Sequence, residues 1–491
     1  MNNNDLSLIL NTNVAIVVVE TWDEARTIEL LRDLFRTASL PSWRWSFTEG
    51  LAPLGFGLEL ANPEQYADPE VALNYIKQYR KPGAFVLCDI HPFLDTPKIV
   101  RLLKDIALQY GVAKHRLVLV SHRLDLPPEL SRHGASVSIS MPSEDEILAI
   151  IREQARDWAE RNHKNKIKTD NQTLQKLVNN LKGLPHQDVR RLAYGAIADD
   201  GAITEADLPE VTKAKFALMN MEGVLHFEYS TAHMRDVAGL HNLKKWLEHR
   251  QHAISNDDTK LDPPKGVLLF GVQGGGKSLA AKAIAGVWGL PLLRLDMAAL
   301  FNKYIGETER NLREALKLAD LMAPCVLWLD EIEKGMADGN DDNGTPKRLL
   351  GTLLTWMAER KSRVFMVATS NDISQLPPEL MRKGRFDEIF FIDLPDHQTR
   401  FHIFTIHLNK RELEPSHYNL DAMAQLTEGF TGAEIEQAVV SATYSAAARG
   451  TQVSPELLQA AIQQTQPLSI VMAEKIEQLQ AWAKERAVKA N

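Results

Sequence analysis

The chain has 491 residues, 44% hydrophobic and 24% charged, the composition of a globular protein of about three domains. A formal net charge of −8 and a pI near 6.0 leave no electrostatic footprint for nucleic acid. No apolar run approaches the ~20 residues that span a bilayer, and the start, MNNNDLSLIL, lacks the basic and apolar segments of a secretory signal.

In chain order, Val14 to Glu20 (VAIVVVE) reads as a buried strand, and Asp23 to Ala38 has helical periodicity. Ala84 to Asp89 is a second strand, Pro97 to Tyr110 a helix, Arg116 to Ser121 a third strand and Val137 to Ser140 a short fourth. Strands alternating with helices predict a parallel α/β sheet. From Ser143 to about Asn220 the pattern is helical, with a dilute polar stretch at His163 to Asp170. The short basic run Lys164 to Lys168 within it reads as a solvated face. The two cysteines, Cys88 and Cys325, sit in separate strand-like runs without metal-ligand spacing, as free thiols of a reducing compartment do.

The second half repeats this plan. Thr96-Pro97-Lys98 recurs as Thr345-Pro346-Lys347, LPPEL occurs at Leu126 to Leu130 and at Leu376 to Leu380, Pro142 matches Pro395 and Gly183 matches Gly429. All are separated by about 250 residues and keep their order, which points to a duplication. The copies differ chemically. Val267 to Phe270 (VLLF) leads into GVQGGGKS, Gly271 to Ser278, and then into an alanine-rich helical run. That is the G-x-x-x-x-G-K-[ST] phosphate-binding loop in its strand–loop–helix context, in which Lys277 reaches phosphates and the Ser278 hydroxyl binds Mg²⁺. In the first half Ile16 to Thr27 lies opposite, without glycines and with Asp23 and Glu24 where phosphates would be. The first half therefore reads as a degenerate nucleotide domain kept for assembly or partner binding.

Cys325 to Ile332 (CVLWLDEI) is an apolar strand that ends in Asp330 and Glu331, at the strand terminus where α/β sheets bind ligands. Asp330 suits Mg²⁺ and Glu331 suits activation of an attacking water. In the first half Asp89 is matched to Asp330, Ile90 to Glu331 and His122 to Asn371. Asn371, ending the next strand, could position the lytic water. Arg382 and Arg385 carry guanidinium groups suited to phosphate but lie far from the loop in sequence, as fingers acting on a neighbour's nucleotide do.

From Met234 to Thr465 these motifs resemble an AAA+ ATPase module. VAGL, Val237 to Leu240, is similar to the family's entry segment at the adenine pocket, so Val237, Ala238 and Gly239 join Gly271, Gly274, Gly275, Gly276, Lys277, Ser278 and Leu279 as expected nucleotide contacts. The resemblance makes Asp330 and Glu331 the Walker B pair, Asn371 the sensor, Arg382 and Arg385 the finger region, and TGAEI, Thr431 to Ile435, the lid motif with Gly432 and Ala433 at the nucleotide. VQGGGKS in place of the common PPGTGK[ST], and Lys383 in place of a frequent proline, are departures that remove no needed group. The whole layout is similar to the AAA-domain family of cyanobacteria and algal plastid genomes known as a hypothetical chloroplast reading frame. It implies a cyanobacterial cytoplasm or a plastid stroma.

The fold expected is thus α/β, two tandem AAA+-like modules each with a parallel α/β core and a helical lid. The divisions are a degenerate core over 1–142, a lid-like part over 143–222, an active core over 223–395 and a lid with C-terminal helix over 396–491. ATP and Mg²⁺ are the expected ligands, and a homo-oligomer, hexameric by resemblance, the expected assembly. Ala299 to Glu307 matches the segment that carries the pore loop of substrate-threading relatives, with Tyr304 on its aromatic position. Asp338 to Gly344 is an acidic loop. The first functional reading is a ring that remodels or threads a protein client. The second is a nucleotide-gated assembly switch or scaffold with slow hydrolysis.

Overall fold

The computed structural model describes residues 14–55, 62–122, 124–139, 141–162, 167–219, 225–229, 232, 234–255, 261–297, 300, 307–336, 345–382 and 384–491. Tyr304, the acidic loop Asp338 to Gly344, Lys383, most of the run Lys164 to Lys168 and the start MNNNDLSLIL lie outside the described residues. The chain divides into two compact units, Met1–Val211 and Thr212–Asn491.

Among the described residues the first unit is built on six strands: β1 (Ile16–Glu20), β2 (Ser42–Ser46), β3 (Gly50–Pro53), β4 (Gly83–Cys88), β5 (His115–Ser121) and β6 (Gly134–Ser138). Their spatial order is β3-β2-β4-β5-β1-β6, parallel except for the β2–β3 hairpin at one edge. Alternation along β1 sends Val17 and Val19 to the face covered by the helix Glu24–Thr37, and Ile16 and Val18 to the opposite core with Leu103 and Ile106. The hairpin and the helix Pro69–Gln78 have no counterpart in the pattern read from sequence. SWRWS is a short strand whose Trp43 and Trp45 are fully buried, a driving force that length and periodicity under-report. Beyond the sheet, helices Glu144–Arg161, Asn171–Leu181, His186–Ala198 and Leu208–Leu218 follow, as the helical stretch expected there. Ser143 closes the first with a capping box to Glu146.

Among the described residues the second unit has seven strands: β7 (Leu225–Phe227), β8 (Gly266–Gly271), β9 (Leu292–Asp296), β10 (Cys325–Asp330), β11 (Val364–Ser370), β12 (Glu388–Ile392) and β13 (Val488–Lys489). They lie in the order β13-β12-β8-β11-β10-β9-β7, with only β7 antiparallel to its neighbour. β8 is buried along its whole length, with Val267 and Leu269 on one face and Leu268 and Phe270 on the other. A separate helical core follows, in which helices His397–Asn409, Leu420–Leu426, Gly432–Arg449 and Pro455–Gln463 enclose Phe404, Leu408, Ile435, Val439 and Leu458.

The two sheets share one strand order. In the second, β12-β8-β11-β10-β9 run side by side; in the first, β6-β1-β5-β4-β2 do. This is the arrangement expected of a duplicated unit. The registers, however, shift residue matches drawn from sequence by one position, setting Ile16 against Gly266 rather than Val267 and changing the matches of Asp89 and Ile90. Ser121 pairs with Glu20 as Ser370 pairs with Phe270, and Cys88 pairs with Val120 while Leu329 pairs with Ala368. Aligned on the two serines, Cys88 stands where Asp330 stands, and Asp89 stands where Glu331 does. Asp89 and Glu331 also share a left-handed backbone, φ 51° and 49°. Ile90 is therefore the counterpart of Ile332, both buried, and not of Glu331.

Candidate nucleotide site

The site starts at the end of β8. Val272 to Gly276 bridge the strand to the helix Lys277–Trp288. Gly276 is the N-cap of that helix at φ 96°, and no side chain caps it, so the first-turn N–H groups are left for an anion. Gly274 has φ 76°, and a Cβ there would sit 2.9 Å from Thr431 Oγ1, so only glycine lets the loop pass under the start of the helix Gly432–Arg449. The Ala433 N–H donates to Gly274 O at 3.2 Å, tying that helix to the loop.

Lys277 is buried. Its Nζ donates to Gly271 O at 2.9 Å and to Val272 O at 2.8 Å. Burial pulls its pKa down to about 8, while Glu333, Glu331 and Asp330 hold it up. A desolvated cation beside an uncapped helix start is a site prepared for negative charge. Ser278, next on the helix, is exposed to the same cleft.

Opposite the loop, β10 and β11 end together. Thr369 Oγ1 donates to Asp330 Oδ1 at 2.8 Å, and Arg294 Nη2 donates to Asp330 Oδ2 at 2.9 Å. Asn371 Nδ2 donates to Glu331 Oε1 at 2.9 Å, and Lys334 pairs with the same carboxylate through Oε2. The left-handed φ of Glu331 is a conformation that costs a non-glycine residue of order 1 kcal/mol, held by the Glu331 N–H donating to Thr369 Oγ1. Behind it Glu333 is buried, its Oε1 accepting from the Asn371 N–H at 2.9 Å while Oε2 has no partner among the described residues.

The loop, Lys277, Ser278, Asp330, Glu331, Thr369 and Asn371 line one cleft of about 550 Å³, with Arg294, Glu333 and Lys334 behind it. Of the residues expected from sequence, Val237, Ala238, Gly274, Gly275, Gly276, Lys277, Ser278, Leu279, Asp330, Glu331, Asn371, Gly432 and Ala433 line it. Gly271 contributes its carbonyl to Lys277. Gly239, at φ 67°, supports the entry segment from behind, where a Cβ would meet Asn491 Oδ1 at 2.5 Å and Thr399 at 3.1 Å. Arg382 and Arg385 are not in the cleft. Arg382 is exposed, and Arg385 Nη1 donates to Leu354 O at 2.6 Å.

Sequence reasoning missed one wall. Ile403, Ile406, His407 and Lys410 come from the helix His397–Asn409 and its end, joined by Glu436. Their spacing marks one helical face, but nothing in the sequence says that it turns towards the loop. Burial lowers the pKa of His407 against the pull of Glu436. Arg294 was also missed; it holds Asp330 from β9 and lies over Trp328, 5.0 Å from the ring centroid.

The donor set fits the expected ligands. Ser278 and Asp330 offer the hard oxygens that Mg²⁺ prefers, and Lys277 with the uncapped helix start offers the complement of a phosphate chain. Apolar Val237, Ile403 and Ile406 suit a planar ring.

Comparison with known proteins gives four family matches. Residues 267–394 match the ATPase family associated with various cellular activities (AAA), and residues 417–456 an AAA+ lid domain. Residues 2–139 match the N-terminal domain of SpoVK-like AAA ATPases, and residues 145–222 their second domain. The protein called uncharacterized AAA domain-containing protein ycf46 of Pyropia yezoensis is 34% identical over 98% of this chain and 97% of its own. That of Guillardia theta is 34% identical over 98% of this chain and 94% of its own. The proteasome-activating nucleotidase of Aeropyrum pernix is 40% identical over 200 residues, 39% of this chain and 48% of its own. No helix among the described residues is long and apolar enough to cross a membrane.

Proposed function

Because the chain belongs to the ycf46 family of AAA-domain proteins and is an ATP hydrolase of the AAA class, we propose that it works as an oligomeric ring that spends ATP to remodel or thread a protein client. The cleft of the second unit is where this reading puts hydrolysis. Lys277, the loop N–H groups and the helix start bind the phosphates. Ser278 and Asp330 would hold Mg²⁺, which would neutralise charge on the phosphate chain. Glu331 takes the proton of the attacking water as its oxygen bonds to the γ-phosphorus and the bond to the β-phosphate oxygen breaks, leaving ADP and phosphate. Asn371, already bonded to Glu331, orients that carboxylate.

The observation that carries the ring is the position of Arg385. It lies outside its own chain's cleft, tied to Leu354 O, and among the described residues no arginine lines that cleft to meet the developing γ-phosphate charge, Arg294 standing behind Asp330 and engaged with it. A neighbour's Arg385, with Arg382 beside it, supplies that charge in the ring. The client reading leans on the likeness to proteasome-activating nucleotidases over the ATPase module, and on Tyr304 as the gripping residue. A cyanobacterial cytoplasm or plastid stroma goes with it.

Size-exclusion chromatography with light scattering on Glu331→Gln, with and without ATP, tests this. A nucleotide-dependent ring, hexameric in mass, is expected. A monomer under all conditions would leave Arg382 and Arg385 without a neighbouring phosphate and sink the ring, leaving a nucleotide-gated switch completed by another partner.

A further inference from the structure

The first unit keeps chemistry at the same strand ends where the second keeps its catalytic pair. Asp89 follows β4 at the position of Glu331, and His122 follows β5 at the position of Asn371. His91 joins them, so that one ligand atom of each of Asp89, His91 and His122 lies within 4.8 Å of the other two. None of the three is needed for packing, since Asp89 and His122 are exposed and His91 is half-buried.

We propose that Asp89, His91 and His122 form a site for a divalent transition-metal ion, zinc being the best match. Two imidazoles and one carboxylate are ligands for zinc, cobalt, nickel or ferrous iron, and poor ones for Mg²⁺ or Ca²⁺, which take oxygen. Bonds of about 2.1 Å require ligand atoms about 3–4 Å apart, within a small side-chain adjustment of those present.

The surroundings already orient the ligands. Ser121 Oγ donates to Asp89 Oδ1 at 3.2 Å and lies 2.8 Å from His91 Nδ1. His91 Nδ1 is also the ring nitrogen that faces the carboxylate, 3.7 Å from Asp89 Oδ1. A metal between them would take His91 through Nδ1 in place of its contact with Ser121, whose hydroxyl would stay on the Asp89 carboxylate and orient it. Trp22 lies against the His122 ring at a centroid distance of 4.9 Å and limits its rotation. His91 and His122 also line a cleft of about 830 Å³ with Asp95, Asp125 and Glu129, so three protein ligands leave coordination open towards that cleft, as in sites that bind a further molecule.

The test uses the full chain, stripped with a chelator and kept in excess Mg²⁺ so that oxygen sites are filled. Co²⁺ is titrated and followed by its visible absorption, with Zn²⁺ as competitor. Wild-type chain is expected to bind a single Co²⁺ at micromolar concentration with low-coordinate d–d bands, displaced by Zn²⁺. His91→Ala and His122→Ala are expected to lose the bands while keeping wild-type ATPase activity, and Zn²⁺ is expected to raise the melting temperature of wild type but not of His122→Ala. Ser121→Ala is expected to bind roughly 10- to 100-fold more weakly. Equal Co²⁺ spectra in wild type and both histidine variants, or no bands in wild type, would overturn the site.

Discussion

The two α/β halves carry one strand order and different residues at its strand ends, and the turn after β1 and after β8 shows the difference most plainly. In the second unit five residues, Val272 to Gly276, open a glycine cradle before an uncapped helix. In the first only Thr21, Trp22 and Asp23 separate β1 from the helix Glu24–Thr37, and Asp23 caps that helix by accepting from the Arg26 N–H at 3.3 Å. Arg26 is turned to Glu146 at 3.2 Å and to His186. The same helix start is thus spent on self-capping in one half and left for a ligand in the other. One strand order can carry different turns, because the sheet is held by buried strands and an anion site by backbone dipoles in the turn.

The largest expected effects would break this comparison outright. Lys277→Ala should lose nucleotide binding in a binding assay, and Glu331→Gln should bind ATP while its turnover falls by roughly 10²–10⁴. Arg26→Ala, in the first half, should leave turnover at the wild-type level. Normal turnover in Lys277→Ala, or its loss in Arg26→Ala, would reverse the assignment of the two halves.

Next in size is Arg385→Ala, expected to bind ATP normally and to lose about 10³ in turnover. Mixing it with a Lys277→Ala chain, which supplies an intact Arg385, should restore hydrolysis. Absence of rescue in mixed assemblies would count against action on a neighbour.

A smaller effect comes from Lys277. Its pKa of about 8 without nucleotide must rise when phosphates arrive, since they favour the charged ammonium. Binding therefore takes up protons, and affinity should be level below pH 8 and fall as pH rises through it, by at most about tenfold per unit. Calorimetry in buffers of different ionisation enthalpy reads the proton uptake; uptake that is absent at pH 8.5 would refute the shift.

The smallest is Asp23→Ala. Loss of the cap should destabilise the first unit by about 1 kcal/mol, seen in its thermal or denaturant unfolding, with ATP affinity unchanged. A gain of nucleotide binding in that half would mean that the cap alone, and not the short turn, excludes phosphate.

The strand–loop–helix of Val267 to Trp288 and the acidic end of β10 were legible because each is local, and the shared strand order of the two sheets agrees with the ordered recurrence read from sequence. Periodicity marks a buried strand, glycines mark a turn that backbone must approach, and ordered recurrence marks a duplicated plan. The Trp43–Trp45 strand escaped because it is short and its stability comes from burial against partners distant in sequence. Ile403, Ile406 and His407 escaped for a related reason: a helix face declares that it packs, not what it packs on. The pairing of Asp89 with Glu331 could not be drawn from sequence, because two adjacent acidic positions align either way until hydrogen-bond register fixes the offset by one residue. Sequence by itself determined the fold class and which half carries a phosphate loop, since those rest on short-range geometry and residue chemistry. Only the tertiary structure decided what faces the cleft, that Arg385 does not, and that Asp89, His91 and His122 converge, since side chains from separate strands meet only through the sheet that aligns them.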